Sequence, residues 1–480
     1  MDIHQAVTAI RELFPSKQVL LPSGPTADAY KARNASYLSN QLNEITPTCI
    51  FQPKDAGDVS RFIRLISPYV AGGAVQFAIR GAGNMPLPGC SNIQNGITLD
   101  LKLLEQIELT ETLVSVGAGA LWLEVDKIVQ SAGLGVVGGR SGTGGIGGLA
   151  LSGGLSIFSS REGFVCDNIA DFEVVLSSGE VVHANANENS DLWVALKGGS
   201  NNFGVVTRFT MHTFKLDHFW GGNVLYPPPT FPSQIEALVA ELKRPQADIN
   251  THIMISTGFS AKMGGASLCL NTVYYTKDVE NPAALAPFTA IESQIKQPGQ
   301  PKRLNLVQMA GQQAAGVSNQ IRCVYMNLTV KADVATLQTA VDVYTEAIVP
   351  VKSCKGITCS LTFQPYPVSL LQQSVVKGGN SLGLDPSVPA VSVLLLTYWD
   401  EKSDDELITG TMRSALESIR ERTTQMGTSL DYVYLGYAAD FQDPISSYGS
   451  ANKKVLQDVS RKYDPAELFQ KGVPGGFKLF

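Results

Sequence analysis

Apolar and polar positions alternate along this chain with two periods. From Thr46 to Phe51 a short apolar run predicts a strand, and after Gln52-Pro53-Lys54-Asp55 the residues Val59, Phe62, Ile63 and Ile66 recur at helical spacing. Further strands are predicted at Phe77-Ala78-Ile79-Arg80, Ile97 to Leu101 and Leu113 to Gly117, followed by a helix carrying Leu121, Val125, Ile128 and Ala132 on one face and ending near Gly133. Phe172 to Leu176, the turn Ser177-Ser178-Gly179-Glu180 and Val181-Val182 predict a hairpin, and Val205, Val206 and Phe209 another strand.

The texture changes at Tyr226-Pro227-Pro228-Pro229, because a proline cluster suits neither a helix interior nor a central strand. Beyond it we predict strands at His252 to Ile255 and Val391 to Trp399, and helices over Ser233 to Leu242, Val334 to Ile348, Asp404 to Arg422 and Ala451 to Lys462. The pattern is α+β: a strand-rich first half, then one sheet backed by helices.

Length and composition narrow the function. A chain of 480 residues with 44% apolar and 17% charged residues is an ordered protein able to bury large cores. A net charge of −6 gives no basic footprint for nucleic acid, so a small-molecule partner is expected. The first residues lack a basic flank and apolar run, and no stretch has the apolar length of a membrane span, so no membrane partner and a cytoplasmic location are expected. Seven cysteines without Cys-x-x-Cys spacing predict no metal site and no disulfide framework, and mostly buried thiols. Oligomeric state is not encoded in any motif.

The densest chemistry lies in the run from Gly138 to Gly154. Glycine there is too frequent for a helix or strand, and the interleaved Ile146, Leu149, Ala150 and Leu151 distinguish it from a flexible linker. Bare backbone of this kind lets N–H groups approach a phosphate or an aromatic cofactor plane. Gly142-x-Gly144-x-x-Gly147 matches a dinucleotide fingerprint, but Ser152-Gly153-Gly154 interrupts the helix the fingerprint requires and Asp167 precedes a strand, so a Rossmann fold is rejected. Two more glycine turns, Gly81-Ala82-Gly83-Asn84 and Gly198-Gly199-Ser200-Asn201-Asn202-Phe203-Gly204, predict three turns closing on one ligand. His252 could face a substrate but reads more simply as a surface or hydrogen-bonded histidine; Trp193 and Phe203 read as core, and Asp400 to Glu406 as a solvated loop and helix start.

Taken in order, Arg80 to Asn84, the run from Gly138, Asp167-Asn168-Ile169, Gly198 to Thr207 and the tail from Tyr463-Asp464-Pro465 to Phe477 resemble the FAD-linked oxidases. More narrowly they resemble the berberine-bridge-enzyme-like branch of the vanillyl-alcohol-oxidase superfamily, in its fungal form. The resemblance implies a PCMH-type FAD-binding domain of two subdomains (residues 1–215), an α+β substrate domain with an antiparallel sheet backed by helices (216–445), and a C-terminal segment returning to the FAD domain (446–480). It implies that Arg80, Gly81, Ala82, Gly83 and Asn84 cradle the FAD pyrophosphate and that Ser141, Gly142, Gly144, Gly147 and Gly148 run along the isoalloxazine. By the same resemblance Ser152, Gly153, Gly154, Asn168, Gly204 and Val206 lie near phosphate, ribose or adenine, and Asn452 contacts the flavin.

Relatives often link the flavin covalently through a histidine and a cysteine; the matching positions are Asn84 and Ser141, so noncovalent FAD is expected. Tyr434-Leu435-Gly436-Tyr437-Ala438-Ala439-Asp440 is similar to the family's Tyr-x-Asn-Tyr-x-Asp segment. That implies catalytic roles for Tyr434, Tyr437 and Asp440, with Tyr437 as the base that takes a substrate proton while hydride leaves for flavin N5. Gly436 and Ala439 depart from the motif. The expected function is an FAD-dependent oxidase of a small, secondary-metabolite substrate, passing electrons to molecular oxygen, Gly144 occupying the position that governs oxygen access. The alternative is a flavin-bound enzyme of cyclisation, isomerisation or cycloaddition without net redox change.

Overall fold

In the computed structural model, which describes every residue except Met1, Pro298 and 316–320, three sheets carry the chain. In the first, Val19–Leu20, Cys49–Phe51, Ile97–Asp100 and Phe77–Arg80 lie in that order. Cys49–Phe51 and Phe77–Arg80 both run parallel to Ile97–Asp100, and the helix Ala56–Ala71 joins them. Asp55 caps that helix by accepting the Asp58 amide, and Val59, Phe62, Ile63 and Ile66 are buried as the spacing predicts.

The second sheet is antiparallel: Ile107–Leu109, Leu113–Gly117, Val205–Lys215, Ile169–Val175 and Val181–Asn185, with Leu134–Val136 also pairing onto Val205–Lys215. The glycine run leaves Leu134–Val136, an antiparallel strand, and enters a helix of six residues, Ile146–Leu151. That local topology has no βαβ unit, in agreement with the rejection of a Rossmann turn.

The third sheet has eight antiparallel strands. Their order is Lys302–Leu304, Phe219–Tyr226, Ala266–Tyr275, Thr251–Ser260, Thr358–Tyr366, Ala390–Trp399, Arg322–Lys331 and Ser429–Leu430. Period-two alternation divides its residues between two faces. Val224, Ile253, Ile255, Val273, Phe363, Val393, Leu395 and Leu328 join one core with the helices Phe231–Leu242, Val334–Ala347 and Asp405–Gln425. The opposite positions carry Asn223, His252, Met254, Thr272, Thr362, Gln364, Asn327 and Tyr325, a polar and aromatic face.

Several sequence expectations need correction. The proline cluster at Tyr226 follows the first long strand of the third sheet instead of preceding that sheet, because Phe219–Tyr226 is already paired with Ala266–Tyr275. Four of its strands, Phe219–Tyr226, Ala266–Tyr275, Arg322–Lys331 and Thr358–Tyr366, carry no continuous apolar run and escape prediction. Six of the seven cysteines are buried and all are free.

The last long helix, Ser450–Tyr463, packs on Ser190–Leu196, and the tail beyond it is tied to the third glycine turn: Asn202 Nδ2 donates to the Phe477 carbonyl (2.9 Å) and Asn201 Nδ2 to that of Gly475 (3.3 Å). Trp193 and Phe203 are core residues. Arg322, on the third sheet and 3% exposed, pairs with both Asp405 and Glu44, and so ties this sheet to the N-terminal region. Among the described residues no helix is long and apolar enough to cross a membrane, and no group of three or more His, Cys, Asp or Glu could hold a metal ion.

Candidate functional site

Two of the three glycine turns meet. Asn84 Nδ2 donates to the Thr143 carbonyl (3.2 Å), and a Cβ added at Gly145 would stand 2.7 Å from that of Ala82. Only glycine permits that approach. Gly83, at φ +77°, turns the first loop over the Arg80–Tyr37 pair, where its own Cβ would strike the Tyr37 ring at 2.7 Å.

The amides of Gly81, Ala82, Gly83 and Asn84 donate to no protein acceptor among the described residues. Four consecutive N–H groups at the end of a strand are thus left free to bind an anion, and they sit beside Ile146–Leu151. A Cβ at Gly148 would meet nothing within 4 Å, so protein does not fill the space in front of it. Orphan donors beside a bare, open backbone fit the pyrophosphate and ring of a dinucleotide flavin.

The third turn lies close by, since Ser200 N donates to the Leu151 carbonyl (3.0 Å), but it is filled by protein. The tail occupies one side of it, and Cβ atoms at Gly198 and Gly199 would strike Leu382 and the Ala195 carbonyl at 2.7 and 2.4 Å. The third turn therefore meets the glycine run at Leu151 while its other side is packed by the tail and Leu382.

Other residues singled out from the sequence divide in the same way. Ser141 Oγ lies 3.1 Å from Thr143 Oγ1, so Ser141 and Asn84 converge on Thr143. Arg80 points its side chain away from the nest: its guanidinium stacks 3.5 Å over the Tyr37 ring and donates to the Arg33 carbonyl and to Ser36. Ser152 Oγ donates back into its own helix, and the Gly154 amide is taken by the Tyr434 hydroxyl (3.2 Å). Gly204 makes room for Val174, and Val206 pairs with Val174 in the second sheet. Asn168 braces the Glu162 and Phe164 carbonyls and accepts from Lys377 (2.6 Å). Asn452 donates to the Tyr448 carbonyl beside Gly383, away from the two turns.

Above the glycine run stands the polar face of the third sheet. Arg140, the lone charged residue between Gly138 and Gly154, extends its guanidinium to the Tyr437 hydroxyl (Nη2 to O, 2.6 Å) and to the Met254 thioether. Tyr437 donates in turn to Gln364 Oε1 (3.2 Å) and packs against Tyr434 and Tyr325, with ring centroids 4.8 and 6.4 Å apart. Burial raises the Tyr434 phenol well above its ordinary pKa, so it stays protonated.

His252 shares the face of Met254. Its Nε2 is buried without a hydrogen-bond partner, and its pKa is pushed down to about 3 by burial first and by the Arg140 guanidinium second. The expectation of a surface or hydrogen-bonded histidine is thus overturned. Asp440 also departs from expectation: it is exposed, accepts the Phe441 amide (2.9 Å) and stands outside the Tyr437 cluster. Gly436 and Ala439 leave Tyr437 with an arginine and a glutamine as partners instead of motif side chains.

Arg140, Gln364 and Met254 were not singled out from the sequence. The signal for Arg140 was its charge inside a glycine run. Gln364 and Met254 lie on strands whose polar positions become informative only once the face is known. A cavity of about 470 Å³ lies elsewhere, lined by Gln130, Gly133, Lys215, His218 and Asn305 among others, and shares no residue with this cluster.

An FAD binding domain family matches residues 47–185. An FAD-dependent monooxygenase of Cochliobolus heterostrophus, tpcD, is 33% identical over 462 residues, covering 92% of this chain and 87% of that protein. In fold, xylooligosaccharide oxidase from Myceliophthora thermophila C1 matches with a TM-score of 0.77 at 17% identity over 98% of both chains. The glucooligosaccharide oxidase of Acremonium strictum, which carries a 6-S-cysteinyl, 8α-N1-histidyl FAD, matches with a TM-score of 0.75 at 14% identity over 98% of both chains. The family match and the relative identical at 33% make this chain an FAD-dependent oxidoreductase. The chain belongs to the same FAD-binding family as the monooxygenase tpcD.

Proposed function

We propose that this oxidoreductase takes a hydride from a C–H bond of a small organic, secondary-metabolite substrate held between the two glycine turns and the polar face of the third sheet. The observation that carries this reading is the 2.6 Å hydrogen bond from Arg140 to Tyr437. Bound FAD would accept the two electrons and pass them to oxygen. Tyr437 would take the substrate's acidic proton. To serve as that base Tyr437 would first give up its own proton; a charge-assisted hydrogen bond is strongest when its acceptor is ionised, so the guanidinium would stabilise the Tyr437 phenolate, which returns to the neutral phenol on taking the substrate's proton. Tyr434 would remain a neutral wall of the site and Gln364 would orient the Tyr437 oxygen.

For the cofactor, the amides of Gly81 to Asn84 would hold the pyrophosphate, and the backbone from Ser141 to Gly148 would face the ring. Ser152 to Gly154, Asn168, Gly204 and Val206 would shape the walls around the adenosine half, and Asn452 would brace the Tyr448 carbonyl. Asn84 and Ser141 cannot form the histidyl and cysteinyl links, which supports noncovalent FAD. We divide the chain into an FAD-binding unit (1–215), a substrate unit (216–445) and a returning segment (446–480), and assign the whole to the cytosol.

The test is an anaerobic titration of the FAD-loaded protein with candidate phenols and alcohols. Bleaching of the flavin absorbance by a compound that is also turned over supports the reading. Turnover without bleaching and without oxygen consumption would overturn it in favour of a cyclisation, isomerisation or cycloaddition.

A further inference from the structure

Arg140 is a cation without an anion. Its two hydrogen bonds go to a phenol and to a thioether, the latter a weak acceptor, and no ion pair among the described residues includes it. A guanidinium has more N–H donors than these two bonds use. Beside it, the 91% buried His252 leaves Nε2 unpaired, although buried polar atoms are as a rule hydrogen-bonded. Both groups belong to the cluster around Tyr437, and both are donors waiting for an acceptor: the arginine by charge, the neutral imidazole through Nε2–H in one tautomer.

We propose that Arg140 and His252 together receive an ionised oxygen of the substrate, a phenolate or a carboxylate, so that the enzyme selects acidic compounds over their neutral counterparts. This rests on the reading of the Tyr437 cluster as the substrate site and adds its substrate class. The charges are complementary: Arg140 contributes one positive charge, while His252, Gln364 and Met254 contribute none. A negative charge on the substrate would give the guanidinium the anionic partner that the surrounding side chains do not supply. A neutral isostere of the same shape would leave the guanidinium facing a thioether and the imidazole facing nothing, a loss that hydrophobic contact does not replace. Docking the anion on Arg140 also sets the substrate next to the Tyr437 oxygen, since one guanidinium touches both.

The test uses the FAD-loaded protein at pH 8 and four probes: 4-nitrophenolate with its neutral counterpart 4-nitroanisole, and benzoate with benzamide. Binding is read by equilibrium dialysis and by perturbation of the flavin spectrum. At least one anion is expected to bind tenfold or more tightly than its neutral partner. A preference confined to the first pair assigns phenolates, and one confined to the second assigns carboxylates. Arg140→Gln should bring the ratio close to one, Arg140→Lys should retain part of it, and His252→Gln should lower it severalfold. Equal binding of anion and neutral partner by the unaltered protein, or a full preference surviving in an Arg140→Gln variant that retains its FAD, overturns the proposal. Should Arg140→Gln fail to fold, the Arg140→Lys and His252→Gln ratios decide in the same way. Tyr437→Phe separates the two readings: it should slow flavin reduction by about 10²- to 10⁴-fold and keep the anion preference, so each can fail without the other.

Discussion

The Arg140 guanidinium donates to the Tyr437 hydroxyl across 297 residues of chain, joining the glycine run to the loop that follows the third sheet. Removing that hydroxyl isolates its role. Tyr437→Phe should fold, bind FAD as before and slow substrate-driven flavin reduction by about 10²- to 10⁴-fold, the usual contribution of a positioned proton acceptor. Anaerobic stopped-flow absorbance measures this, and an unchanged rate would reduce Tyr437 to a pocket wall.

Gly145 and Gly148 should respond with opposite signs. At Gly145 the backbone φ of −105° suits any residue, so Gly145→Ala tests only the 2.7 Å approach to Ala82. We expect a loss of about 1–3 kcal/mol in stability, as for other overpacked sites, and weaker FAD binding. Gly148→Ala meets no protein atom and lies in a helix, so it should stabilise the FAD-free protein by about 0.5–1 kcal/mol while weakening FAD binding. Thermal melts with and without FAD read both effects, and unaltered FAD affinity in Gly148→Ala would remove that glycine from the cofactor surface.

Denaturation in acid or heat should release yellow FAD into the supernatant. Asn84 and Ser141 supply neither an imidazole nor a thiol for attachment. Colour remaining on the precipitated chain would show a covalent link from some other residue.

Asp126 gives a pH signature of stability. It is 2% exposed on the helix Trp122–Ser131, Oδ2 has no partner, and burial pushes its pKa up to about 8. A carboxyl with a raised folded pKa contributes fully below its unfolded value near 4, and that contribution is lost as pH rises through about 8. Relative to Asp126→Asn, the unaltered protein should therefore lose stability between pH 4 and pH 8, on the order of 2 kcal/mol for an imperfectly compensated buried charge. Parallel stability curves of the two proteins over that range would refute the assignment.

Arg322 is buried between Asp405 and Glu44. Arg322→Met leaves those two carboxylates without their cation and should cost about 3 kcal/mol, measured by denaturant unfolding, with larger effects on holoenzyme assembly than on either core alone. A change below about 0.5 kcal/mol would show that the clamp is dispensable.

The sequence makes the elements around the first two glycine turns legible because their signals are local. Val59, Phe62, Ile63 and Ile66 mark one helix by spacing alone, and the glycines mark the nest because no other residue allows such contacts. The third sheet is harder to read: the strand Thr358–Tyr366 alternates buried apolar residues with polar ones such as Thr362 and Gln364, which look like surface positions until a second layer covers them. His252 misleads for the same reason. Its surroundings come from residues far away in sequence: the Tyr274 ring packs beside it and the Arg140 guanidinium disfavours its charged form. Asp440 shows the converse, since nearness in sequence to Tyr437 does not bring its carboxylate to the site.

The two-sided third sheet has an evolutionary consequence. Along Thr251–Ser260, Ile253 and Ile255 serve the core while His252 and Met254 meet the cluster, so the determinants of folding and of chemical selectivity are interleaved one residue apart. Point replacements at the even positions can retune the ligand without disturbing the packing, and a single inserted residue would exchange the two sets at once. Such a strand can diverge quickly by substitution and scarcely at all by insertion.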